Sequence, residues 1–175
     1  MKMAKFEARL AQPSDVEDIA LAHRDSIRSI GPAFYPPDVV DDWQAGLTAD
    51  VYLKAMERGE VFFIATEDVD GKALVLGFAS DYRIDGSKHG TSVYVRGIAA
   101  RRGIGSVLLG LAEAHAIVAG ATRIEVEASL AGVEFYRVNG FTEVGRGETH
   151  LMSGRPIACV FMRKDVDASS DVEGQ

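Results

Sequence analysis

The chain has 175 residues, 26 acidic against 19 basic, and a formal net charge of −7. Apolar residues make up 47% and charged residues 26%, which is globular composition in a length that suits one domain. No stretch approaches the ~20 apolar residues of a membrane-spanning helix, the single cysteine, Cys159, excludes a disulfide framework or Cys-based zinc site, and the acidic balance argues against general nucleic-acid binding.

The start, MKMAKFEARL, lacks the apolar block and cleavage pattern of a signal peptide. With one cysteine, this makes a reducing, cytoplasmic setting the expectation, with no membrane partner. Residues 6–10 read as a first strand. Ser14 and Glu17 have the spacing of a capping box, and Val16, Ile19, Ala20, His23, Ile27 and Ile30 then recur at helical spacing until Gly31-Pro32 stops the helix. Residues 34–36 are irregular, and two short helices follow over 37–45 and 48–58, with Thr48 as cap and Gly59 as stop. Strands are expected over 61–66 and 73–82, joined through the turn residues Asp68, Asp70 and Gly71. Residues 85–90 read as loop, and 92–95 as a fourth strand.

After Gly103, Ile104, Val107, Leu108, Leu111, His115 and Val118 read as the buried face of a helix ending at Gly120. Residues 123–128 alternate as a strand, with Ile124, Val126 and Ala128 on one face and Glu125 and Glu127 on the other. A short helix over 131–138 and strands over 141–144 and 157–163 complete the body. The acid-rich segment 165–175 lacks large hydrophobes and is expected to be a disordered tail beyond a single domain, 1–164. The elements are mixed β and α around one sheet.

A strand followed by Arg101-Arg102-Gly103-Ile104-Gly105-Ser106 and a helix suits anion binding. Glycines allow close backbone approach, the first helical N–H groups point at the ligand, and the dipole adds about half a positive charge. A P-loop is excluded by its missing G-K-[ST], and a dinucleotide fingerprint by Leu108 at its third glycine. Downstream, Phe135-Tyr136 sits on the short helix and Asn139-Gly140-Phe141 opens a strand.

Together these segments resemble the GNAT superfamily of acetyl-CoA-dependent N-acetyltransferases. The loop matches that family's [RQ]-x-x-G-x-[GA] signature, and the second segment its F-Y-x-x-x-G-F helix. Two positions depart: Ala100 stands at the signature's first position, and Ser129 where the family often has Asn. The resemblance implies an α+β fold, with a mixed, mostly antiparallel sheet of about six or seven strands flanked by helices and split between the fourth and fifth. It implies an acyltransferase moving acetyl from acetyl-CoA directly to a primary amine through a tetrahedral intermediate, without a metal.

By the same resemblance, Val93, Tyr94 and Val95 hold the pantetheine and acetyl carbonyl through backbone groups. Arg101, Arg102, Gly103, Ile104, Gly105 and Ser106 hold the pyrophosphate, with Ser129 as a further contact. Tyr136 protonates the departing sulfur; its phenol, with a reference pKa of about 10, is a donor at neutral pH. Glu127 or Glu125 serves as base. His23 and Arg24 face the amine if the first helix lines the acceptor pocket, whereas the apolar stripe alone makes His23 a core residue. Tyr35 and Trp43 shape or cover that pocket, and Asp81 and Tyr82 border it. Cys159 packs in a late strand. His115 reads as structural, and His89 and His150 as loop residues, so no metal site is expected. The acceptor is a small-molecule or peptide amine, and a homodimer is the family-level expectation. A non-catalytic acyl-CoA-binding module of the same fold is the alternative function.

Overall fold

The computed structural model describes residues 5–166. In chain order the elements are β1 (Glu7–Leu10), α1 (Val16–Ile30), α2 (Pro37–Ala45), α3 (Ala49–Glu57), β2 (Val61–Val69), β3 (Lys72–Asp85), β4 (Lys88–Val95), α4 (Ile104–Val118), β5 (Arg123–Ser129), α5 (Val133–Val138), β6 (Thr142–His150) and β7 (Pro156–Asp165). The strands form one seven-stranded sheet in the order β1-β2-β3-β4-β5-β7-β6. Every neighbouring pair is antiparallel except β4 and β5, which run parallel.

That parallel pair creates the opening on which the site depends. It is registered only at Lys88↔Arg123, His89↔Ile124 and Gly90↔Glu125. Beyond Gly90, β4 stays with β3 as far as Val95, while β5 continues along β7. The sheet therefore parts into a V, and the backbone groups of Thr91, Val93 and Val95 on that side face the gap instead of a strand.

Helices cover both faces. On one, α1 and α3 bury Val16, Ile19, Tyr52 and Ala55 against Phe62, Ile64 and Phe78. On the other, α4 packs Ile104, Leu108 and Ala112 on Ala65, Leu76 and Ala79, while Tyr136 of α5 joins Phe141, Val126 and Met162 beyond the split. Burying side chains of this size contributes about 1.5–3 kcal/mol each, and α4 spans the V, since its Leu109 and Ala116 pack with Tyr136 and Val126 in the cluster beyond the split.

Several local features differ from expectation. The first helix is entered through a 3₁₀ turn, Pro13–Asp15, and has no side-chain cap bond from Ser14 or Asp15; Asp15 instead closes the turn, accepting from the Gln12 N–H at 2.7 Å while pairing with Arg9. The fourth strand begins at Lys88, so His89 and Gly90 are strand residues. The turn is made at Gly86, with φ +51°, whereas Gly90 leaves room for the Tyr82 ring: a Cβ there would lie 2.2 Å from Tyr82 Cζ.

The buried face of α4 is Ile104, Leu108, Leu109, Ala112 and Ala116; Val107 and Val118 are exposed. The helix is apolar on nearly every side, so spacing could not choose its stripe. β7 extends to Asp165, which pairs with Arg123, and the buried Val166 donates its N–H to the Thr122 carbonyl. Those two residues belong to the body, and the rest of the expected tail, 167–175, lies outside the described residues. No helix among the described residues is long and apolar enough to cross a membrane.

Candidate active site

A cavity of about 360 Å³ runs from the N-terminus of α4 into the V between β4 and β5. At its outer end lie Arg101, Gly103, Ile104, Gly105 and Ser106, and at its middle Val93, Tyr94, Val95, Ser129 and Tyr136. Ser26, Ile27 and Ile30 of α1 and Trp43 of α2 close the inner end. One local loop and three distant elements thus meet at the split.

The loop's two glycines have different physical roles. Gly103 has φ +77°, where a side chain is strained, and a Cβ there would meet nothing within 4 Å, so the space before it is open to a ligand. Gly105 is a packing seat: its Cβ would lie 2.9 Å from Phe135 Cε2, so glycine lets α5 close against α4. The first N–H groups of α4 have no carbonyl within the helix. Glycine, free donors and Arg101 together fit a pyrophosphate.

The two arginines are not equivalent. Arg101 lines the cavity and is itself held at φ +63°, a left-handed conformation rare for a residue with a side chain. Arg102 bonds Glu67 of β2 at 3.0 Å and is not among the lining residues. Ala100 does line the cavity but offers no side-chain donor.

Tyr136 is 4% exposed, and its hydroxyl accepts from the Val93 N–H at 3.1 Å. Strand geometry leaves that N–H pointing into the V with no β5 partner, and the phenol satisfies it. Burial pushes the phenol's pKa well above its ordinary value, with the neighbouring Tyr94 adding to this and the Val93 bond opposing it. The group therefore stays protonated, with its O–H free to donate toward the cavity.

Of the two candidate bases, Glu127 lines the cavity and Glu125 does not. Both point to the same face of β5, but Glu125 lies level with Gly90, where the strands are still joined. Tyr82, Gly90 and Glu125 form one row across the sheet, outside the cavity lining. Burial and the charges of Glu60, Glu127 and Glu125 push the Tyr82 phenol up to about 12. Glu127 accepts a hydrogen bond from Thr149 Oγ1 at 2.7 Å.

Besides Tyr82, three expected acceptor residues lie elsewhere. Asp81 is one residue out of phase with Tyr82 and so faces α4; it is 4% exposed and bonds His89 Nδ1 at 2.6 Å and His115 Nδ1 at 2.7 Å. His23 is buried beneath the site, bonded to the Tyr52 hydroxyl at 2.7 Å and packed against Tyr94 with ring centroids 3.9 Å apart and ring planes tilted by 38°. Burial drives its pKa down to about 3, so it is neutral. Arg24 lies near Tyr52 and outside the lining. The face of α1 that does reach the cavity is Ser26, Ile27 and Ile30, one and two turns beyond His23.

A second cavity of about 240 Å³ adjoins the first and shares Trp43, Tyr94, Glu127 and Ser129 with it. Tyr35 borders it but is fully engaged, donating to the Ala158 carbonyl at 2.7 Å and accepting from the Leu130 N–H at 2.9 Å. The exposed His150 and the buried Cys159 line it too, a placement that no local pattern in the chain signals. Among the described residues no group of three or more His, Cys, Asp or Glu side chains could hold a metal.

Comparisons with known proteins agree with this geometry. No curated protein sequence matches the chain significantly. Among solved structures, a GCN5-related N-acetyltransferase of Rhodopseudomonas palustris superposes with a TM-score of 0.77 at 24% identity, covering 95% of this chain and 99% of that one. The PaiA N-acetyltransferase of Thermoplasma acidophilum, solved with coenzyme A, gives 0.72 at 19% identity, covering 93% and 99%. YncA of Salmonella typhimurium, solved with acetyl-CoA, gives 0.64 at 20% identity, covering 93% and 95%. These show a shared fold. The profile of the family described as acetyltransferase (GNAT) domain matches residues 34–164, most of the chain. The chain belongs to the GNAT acetyltransferase family, a family of acyltransferases.

Proposed function

We propose that the protein moves an acetyl group from acetyl-CoA to a primary amine by direct attack. The observation that carries this reading is the continuous cavity from the Gly103 loop to the strand split, with the Tyr136 hydroxyl at its middle. The pyrophosphate would rest on the α4 N-terminus beside Arg101. The pantetheine would then lie along Val93–Val95, in place of the missing strand.

In the transfer, the amine nitrogen bonds the acetyl carbon and the carbon–sulfur bond breaks. Val95 turns its N–H toward the open edge, as Val93 does, and is the backbone donor available to the carbonyl oxygen, since Tyr136 occupies the Val93 N–H. Glu127 receives the proton leaving the amine, directly or through a water, and Tyr136 gives its proton to the departing thiolate. Solvent then returns the phenol's proton.

The experiment pairs thermal shift with thiol release. CoA should raise the unfolding midpoint whereas NAD and ATP should not, and Gly103→Val should abolish that shift while the protein still folds. Acetyl-CoA should release thiol in the presence of an amine panel. A chain that binds CoA yet releases no thiol with any amine would be the non-catalytic module.

A further inference from the structure

The second cavity has a chemistry of its own. Among the described residues its lining holds one carboxylate, that of Glu127 on the wall shared with the first, one histidine, His150, and no lysine or arginine. Across the first cavity the one cationic lining residue among the described residues is Arg101, at the α4 end where the phosphates would lie. Apart from Arg101, neither lining holds a lysine or arginine among the described residues to pair with a carboxylate beside the split.

Beside Glu127 stand aromatic rings. Trp43 meets Tyr94 edge to face with centroids 6.3 Å apart, and Tyr35 with centroids 5.6 Å apart. A cation beside such rings is attracted by their π faces, and a carboxylate at the same wall adds a formal counter-charge. Deeper in, Leu47, Leu151 and Ile157 are buried and apolar. The volume lies below the about 300–1,000 Å³ of ordinary ligand pockets, so the occupant is small.

We infer that the acceptor is a small amine with an apolar body and no carboxylate of its own, its ammonium held by Glu127, Trp43 and Tyr94 and its body in the second cavity. The inference rests on the acetyltransferase reading above. An amino acid would bring its carboxylate to a wall that already carries one and offers no lysine or arginine, a like-charge and desolvation penalty that the decarboxylated analogue avoids.

The test compares matched pairs on the full chain: phenethylamine against phenylalanine, and isopentylamine against leucine, by initial rates of thiol release from acetyl-CoA. Each amine should exceed its amino acid by at least about tenfold in kcat/KM. Trp43→Ala should raise the KM for phenethylamine more than it lowers kcat. Amino acids acetylated as well as the amines would overturn the inference. So would activity confined to polyamines or lysine-containing peptides, which leaves the acetyltransferase reading standing. Absence of thiol release with every amine tested would remove both.

Discussion

The Tyr136 hydroxyl and the Val93 N–H, 3.1 Å apart, bridge the two halves of the split sheet. One bond thereby completes an edge of β4 that has no neighbouring strand and aims a protonated phenol at the cavity. Tyr136→Phe should act on both. Turnover should fall by ~10²–10⁴-fold with little change in acetyl-CoA affinity, because the ring still packs against Phe141. The stranded N–H should also cost about 1–3 kcal/mol of stability. Steady-state rates beside a CoA titration and a thermal melt separate the two effects. Turnover within about twofold of the parent, where chemistry limits the rate, would leave Tyr136 only its structural role.

Arg101 and Arg102 should separate on substitution. Arg101→Ala removes the charge that lines the cavity, and CoA affinity should drop by roughly 10–100-fold, the effect of losing a charge-assisted hydrogen bond. Arg102→Ala breaks the Glu67 pair instead and should change CoA affinity by less than about threefold. Isothermal titration of CoA into both variants checks this, and equal losses would mean that Arg102 leaves Glu67 to bind the ligand.

His23 makes stability pH-dependent on the acid side. Its folded pKa of about 3 lies below the unfolded value near 6.5, so between these limits the unfolded chain binds the extra proton. Its contribution is whole above about pH 6.5 and is lost progressively as pH falls toward 3, at up to about 1.4 kcal/mol per pH unit. His23→Leu should start lower, since it strands the Tyr52 hydroxyl, but should lose less stability between pH 7 and 5 than the parent. Denaturant melts at the two pH values supply the comparison; an equal loss in both proteins would remove His23 as the cause.

Asp81 should prove structural. Asp81→Asn leaves one of two imidazole Nδ1–H donors, on His89 or His115, without its carboxylate acceptor. A loss of about 2–3 kcal/mol is expected, or roughly 4–12 °C in the midpoint for a domain of this size. The KM for the amine should not move, because Asp81 faces α4 and not the cavity. A selective rise in that KM would return Asp81 to the acceptor site.

What the sequence determined by itself was local. The Gly103-Ile104-Gly105 turn, the Phe135-Tyr136 helix and the alternation of β5 depend on backbone dihedrals and on a period of two or 3.6, which neighbouring residues set. The same short range explains the misreadings. His89 and Gly90 resemble loop residues until the Tyr82 ring is seen lying over the glycine. Asp81 and Tyr82 are adjacent in the chain, yet strand alternation sends them to opposite faces, and pairing with β4 decides which. Glu125 and Glu127 share a face and a chemistry, and only the point at which β5 leaves β4 puts Glu127 in the cavity. Arg102 is drawn to Glu67 by a contact 35 positions back in the chain. Such choices belong to the tertiary structure because each depends on where a distant strand ends, and no periodicity in the chain encodes that position.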